Sequence, residues 1–303
     1  MLQGFAVIAV IIGVGVVVGR TGVLGDNAGT VLNRVAFHIG VPALLLVTLA
    51  KATPAQVFSL PLLVSVIATF IVFGIYFGIA TLIRHRSRRD ATIGAWSSSY
   101  VNAGNLGLPL SAYVLGNTTD VSSVIVFQCV VLIPLGVAIL DSAETAHATV
   151  KARVARLVAN PTIGASIIGV SLSALGAQLP GLVLDPLTLL ADLAVPTVLL
   201  AFGISLSALH RGQPHGDRID VTLAVVLKLV LMPVIAYALC RWAFNGSPQQ
   251  LVVVTVLAAL PSAQNVNAFA AVYRRGEVLA RDTTLITTAA SIPTIMVIVA
   301  LLT

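Results

Sequence analysis

Ten apolar stretches, each about as long as a bilayer is thick, follow one another along this chain: residues 2–19, 28–49, 61–83, 92–115, 121–140, 161–179, 186–209, 221–244, 250–273 and 283–302. A helix rises about 1.5 Å per residue, so a hydrocarbon core of about 30 Å takes about 20 apolar residues to cross. Inside that core no water satisfies an exposed N–H or C=O, so such stretches must fold as helices. Of the 303 residues, 58% are hydrophobic and only 9% are charged, which rules out a soluble surface. The first stretch lacks a basic start and a small-residue cleavage site, so it reads as a retained span rather than a signal peptide. Its Gly13, Gly15 and Gly19 follow no strand and suit close helix packing, not a dinucleotide.

Ten crossings put every second loop on one side, and the basic residues test that alternation. Arg20, Arg84, Arg86, Arg88, Arg89, Lys151, Arg153, Arg156, Arg211, Arg218, Arg274, Arg275 and Arg281 share one side, which is 13 of the 17 Lys and Arg. The basic loops are therefore expected in the cytoplasm and both termini outside, in the inner membrane of the cell. The net charge of +6 is accounted for by these topology signals, without nucleic acid. The loop Arg84 to Asp90 is read in the same way rather than as a lipid head-group patch.

The longest polar connection, residues 142–160, divides the spans into five and five, so halves at 1–141 and 161–303 must be inverted if they are related. A shift of 154 places His38 and Pro42 on Asp192 and Pro196. A shift of 160 places Asn105, Tyr113 and Gly116 on Asn265, Tyr273 and Gly276. These matches fall on the second and fourth spans of each half. The expected fold is thus an all-α polytopic membrane protein of ten transmembrane helices in two inverted five-helix repeats.

Two of the spans carry polar residues where a membrane helix should be featureless. In the fourth, Asn102 and Asn105 accompany Gly104, Gly107 and Pro109. In the ninth, Pro261 precedes Ser262, Gln264, Asn265 and Asn267. Proline lacks an N–H and clashes with the carbonyl four residues back, while glycine tolerates unusual dihedrals, so each group predicts a helix break. Paired breaks in matching spans mark the binding site of a transporter. The amides and Ser262 are the candidate substrate ligands; Gly104, Gly107, Pro109 and Pro261 are the candidate break positions.

The same logic makes His38 with Pro42, and Asp192 with Pro196, candidates for proton coupling or gating, because intramembrane ionisable groups are costly and His titrates near neutral pH. Arg34 and Lys228 either snorkel to the cytoplasmic surface or add positive charge near the breaks, which favours an anionic substrate. No HExxH, nucleophile pattern or metal spacing is present, and Cys129 and Cys240 sit alone in apolar runs. An enzyme is not expected, nor a cofactor or metal.

The stretches NAGNLGLPL and ALPSAQNVNAF, the VPALL and VPTVLL pair, and ten spans with both ends outside resemble the auxin efflux carrier family of permeases over essentially the whole chain. That resemblance implies fourth and ninth helices that are broken and cross near the midplane. It implies a transport bundle of helices 3–5 and 8–10, a scaffold of helices 1, 2, 6 and 7, and a homodimer through the scaffold. Family members move organic anions, such as auxin in plants and malonate or malate in bacteria. Asn102 matches the family's crossover asparagine and Pro261 its second crossover proline. Val101 departs from the plant proline at the first crossing, and the central loop is far shorter than that of many plant members.

The combined expectation is a secondary transporter that moves a small carboxylate through the bilayer by alternating access, driven by an ion gradient, of protons or sodium, or by the substrate's own gradient. A sodium/proton antiporter should carry clustered carboxylates at the breaks, where amides stand instead. A ligand sensor without transport should carry an output domain, for which the short loops leave no room.

Overall fold

The structure is a computed structural model, and it describes residues 2–25, 27–141, 161–207 and 216–302. The expected connecting loop at 142–160, with Lys151, Arg153 and Arg156, lies outside the described residues, as does Arg211.

Among the described residues every named element is a helix. In chain order they are α1 (Leu2–Thr21), α2 (Ala28–Lys51) and α3 (Pro54–Ile83), α4 (Arg88–Ser99) and α5 (103–115). Then come α6 (Thr119–Leu140), α7 (Pro161–Leu175), α8 (Gly181–Ser207) and α9 (Arg218–Ala243). The last three are α10 (Pro248–Ala258), α11 (Asn265–Tyr273) and α12 (Glu277–Leu302). Six of them, α2, α3, α6, α8, α9 and α12, are long and apolar enough to cross a membrane, and α1, α7 and α10 contain shorter apolar helices. The chain is a multi-pass membrane protein. Helix α8 starts five residues ahead of the expected Pro186, which forgoes one backbone bond without ending the helix.

The helices group into two compact units, one of residues 1–58, 104–126 and 148–212, the other of 59–103, 127–147 and 213–303. The grouping departs from a split by whole spans, because residues 104–126 fall in the first unit.

In the first unit, small residues set the packing. Gly15 of α1 lies against Leu200 and Gly203 of α8, and Gly19 lies against Ser207, so a side chain at either glycine would meet the facing helix. Gly13 faces open space. Without a hydrophobic drive between helices in lipid, this close backbone approach supplies the contact. Gly169 of α7 packs likewise against Leu46 and Leu49 of α2, and Gly40 against Ala194.

In the second unit α4 packs on α3, with Gly94 against the ring of Tyr76. Trp96 is fully buried, facing Gly136 of α6 and lying against Phe269 of α11 with ring centres 5.0 Å apart and planes tilted by 46°. The turn before α4 and the start of α9 are joined by ions. Arg84 donates to Asp220 at 3.1 Å and to Asp217 at 2.8 Å; Arg86 donates to Asp220 at 2.7 Å and also to Asp217. The basic loop read as a topology signal thus also ties two elements of this unit together.

Four prolines of these helices follow a widened backbone turn rather than a break. A π-helical turn ends two residues before each of Pro42, Pro109, Pro134 and Pro233, at Ala36–Gly40, Ala103–Gly107, Gln128–Leu132 and Leu227–Leu231. Wider turns shift bonding from four residues to five, which accommodates the missing N–H and the ring's clash.

One backbone pattern recurs at a spacing of 160. The π turn Ile79–Ile83 has a counterpart in Leu239–Ala243. His85 and Asn245, which follow them, both adopt positive φ, as do Gly116 and Gly276. Ser87 and Ser247 then cap α4 and α10 with their side chains.

Candidate functional site

Two helices of the second unit stop within the bilayer-length pattern, and the segments beyond them meet. Helix α4 ends at Ser99, and Tyr100 is extended (φ −79°, ψ 106°). The hydroxyls of Ser97, Ser98 and Ser99 donate to carbonyls one turn back, Ile93 and Ala95, at 2.7–2.9 Å. That back-bonding uses the serines in the helix end and leaves them no nucleophilic geometry. Helix α10 ends at Ala258. Pro261 pushes its predecessor away from helical dihedrals and offers no N–H, so the helix does not resume before Asn265.

The interrupted segments pair antiparallel at Val101 and Ser262. Asn102 N–H donates to the Pro261 carbonyl at 2.8 Å, and Ala263 N–H donates to the Tyr100 carbonyl at 3.0 Å. Side chains satisfy further backbone groups. Gln128 Nε2 of α6 donates to the Val101 carbonyl at 2.9 Å, and Ser262 N–H donates to Thr287 Oγ1 of α12 at 3.1 Å. Thr287 Oγ1 in turn donates a hydrogen bond to the Thr283 carbonyl at 2.7 Å. Irregular backbone at membrane depth needs such partners from the surrounding protein.

The first interruption therefore lies at residues 100–102, ahead of the expected Gly104, Gly107 and Pro109. Those three fall on α5, whose π turn at Ala103–Gly107 absorbs Pro109. Pro261 does lie in the second interruption. Asn102 and Ser262 are buried in the paired segments. Asn265, the first residue of α11, is hydrogen-bonded with the Tyr100 phenol. Gln264, one position earlier, and Asn267, the third residue of α11, are half-buried. Asn105 is buried on α5, in the first unit.

Several buried polar atoms of the second unit have no hydrogen-bond partner in the protein: Ser262 Oγ, Asn267 Oδ1, and Oγ1 of Thr283, Thr284 and Thr288. Buried polar atoms in native proteins find a partner, so this group is suited to water or a polar ligand.

Lys228 does not snorkel. It is fully buried, on the widened turn of α9, and its ammonium donates to the Ala258 carbonyl at 2.6 Å and to Met232 Sδ at 3.2 Å. Arg34 is exposed on the first unit. His38 and Asp192 are also exposed there, two residues before Gly40 and Ala194 respectively, which pack together. His38 Nδ1 is 3.0 Å from the Arg34 carbonyl. Pro42 is buried and Pro196 half-buried.

Gln128 and Thr287 were missed in the sequence. Gln128 is the lone amide in the fifth apolar stretch, which was the available signal; Thr287 belongs to a run of threonines that resembles ordinary helix filler.

Residues 2–299 match the family described as "Membrane transport protein". The chain is 28% identical over 274 residues to a "Putative malonate transporter" of Rhizobium meliloti, covering 87% of this chain and 84% of that one. It is 27% identical over 265 residues to an "Uncharacterized transporter" of Methanothermobacter thermautotrophicus, and 22% identical over 266 residues to the "Uncharacterized transporter YfdV" of Escherichia coli; each match covers 84% of this chain and 83% of the relative. These are transporters, not enzymes. With nearly its whole length matched, the chain belongs to the membrane transport protein family of the auxin efflux carriers.

Proposed function

We propose that this chain is a secondary transporter that carries a small carboxylate across the cytoplasmic membrane by alternating access. The observation that carries the reading is the antiparallel pairing of two helix interruptions, at Val101 and Ser262, inside apolar spans. Discontinuous helices of this kind bring half-helix ends and unwound backbone to one place, where transporters hold substrate. Within the second unit, Asn102, Ser262, Gln264, Asn265 and Asn267 are the proposed ligands. Amides and hydroxyls can donate to a carboxylate's oxygens without a fixed charge, so release stays easy.

The backbone pattern recurring at a spacing of 160 supports the proposed architecture of ten spans in two inverted repeats with crossing fourth and ninth helices. Both termini outside the inner membrane, and a homodimer through helices 1, 2, 6 and 7, complete the proposal. His38 and Asp192 are proposed to couple protons or to gate. If they couple protons, His38→Gln and Asp192→Asn should flatten the pH dependence of uptake; an unchanged profile would assign them to structure.

Malonate is the first substrate to try, given the name of the Rhizobium relative. Purified protein in proteoliposomes should accumulate one or more of a panel of mono- and dicarboxylates, with malonate included, when a proton or sodium gradient or preloaded substrate drives exchange. Protein-free levels across the whole panel would contradict the reading.

A further inference from the structure

Lys228 is a fully buried charged side chain with no part in the paired interruption described above. It sits on α9 with no solvent exposure. Among the described residues no carboxylate lies within ion-pair distance of its ammonium; its partners are the Ala258 carbonyl and Met232 Sδ. A charge in hydrocarbon without a counter-ion is costly, and such residues persist where they serve transport.

The position of the ammonium explains what offsets the cost. Ala258 is the last residue of α10, so its carbonyl stands at the negative end of that helix's dipole, beside the interruption. The carbonyl receives the charge at 2.6 Å, a charge-assisted bond. In secondary transporters built on discontinuous helices, half-helix C-terminal ends and unwound carbonyls are where the coupling sodium ion or proton is held. Here a covalently tethered cation occupies that kind of place. Its turn is also the widened one, Leu227–Leu231, which ends two residues before Pro233.

We infer that the Lys228 ammonium is a built-in substitute for a coupling cation: it supplies the positive charge at the C-terminal end of α10 that balances an incoming carboxylate, so transport needs no sodium. This inference rests on the proposed transport of a carboxylate. Lys228 is a positioning residue, acting on the substrate through the field at the interruption and through the Ala258 carbonyl.

The test uses full-length protein in proteoliposomes and whichever carboxylate the wild type accumulates. Replacing sodium with N-methylglucamine on both sides should leave wild-type uptake unchanged. Lys228→Gln keeps a donor for the Ala258 carbonyl but removes the charge, and should lose at least about tenfold in uptake. Lys228→Ala should be as impaired and should regain uptake when propylammonium, the size of the deleted side-chain tip, is added; methylammonium or sodium should rescue less. Wild-type uptake that requires sodium would overturn the inference, as would full uptake by Lys228→Gln or an inactive Lys228→Ala that no cation rescues. Each of those outcomes leaves carboxylate transport standing. Absence of wild-type uptake would remove both.

Discussion

Gln128 shows how one side chain holds an irregular membrane segment in place. Its amide donates to the carbonyl of Val101, in the middle of the first interruption, and it is buried. Replacing it with Leu of similar volume leaves that carbonyl without its partner, at a cost of about 1–3 kcal/mol. Gln128→Leu should therefore lower the detergent-solubilised protein's melting temperature, and a melting temperature equal to wild type would remove the supporting role. The ligand-like residues around the interruptions were legible because Asn, Gly and Pro are conspicuous in an apolar run. Gln128 and Thr287 were not, because the sequence of a lone polar residue does not say which distant carbonyl or N–H it will meet. Lys228 was legible as an intramembrane charge, but not its burial: a lysine two turns into a span can reach the surface or turn inward, and only packing decides.

At the scale of elements, the sequence rule for proline needed a second outcome. Pro109 was expected to break the fourth helix, yet the interruption lies at residues 100–102, and Pro109 follows a π turn. A lost backbone bond is absorbed either by breaking the helix or by widening it, and local sequence does not choose between them. At Pro261 the helix has already ended at Ala258, and the freed segment pairs with residues 100–102. The ionic tie between the turn before α4 and the start of α9 has a pH signature. The Asp217 carboxylate accepts the Ile219 N–H at the helix start and faces Arg84 and Arg86, which together hold its pKa below the ordinary value. A depressed pKa means that the tie stabilises the fold above the usual carboxylate range and is lost as pH falls through the lowered value. Asp217→Asn should lose stability at neutral pH and show a shallower decline on acidification than wild type. Parallel melting curves for the two from pH 7 to pH 3 would contradict this.

At the scale of the whole molecule, the sequence was most informative where the solvent is most restrictive. Bilayer thickness fixes span length, so the six helices long and apolar enough to cross a membrane were recognisable by length and hydropathy, while the fourth and ninth stretches stood out by their polar inserts. The two compact units were less legible. Residues 104–126, the end of the fourth apolar stretch and the start of the fifth, belong with the first unit although the rest of both stretches belongs with the second, and such grouping depends on packing between segments far apart in sequence. Family membership makes the chain a transporter; the paired interruption is the place proposed to hold a carboxylate. The most direct test is counterflow of labelled malonate, or of another carboxylate that the wild type carries, into proteoliposomes bearing wild type, Asn102→Ala or Asn265→Ala at matched protein content. The account predicts robust wild-type exchange and a loss of at least about tenfold in each variant, with melting temperatures close to wild type. Full exchange by both variants would contradict the claim that the paired interruption binds the substrate.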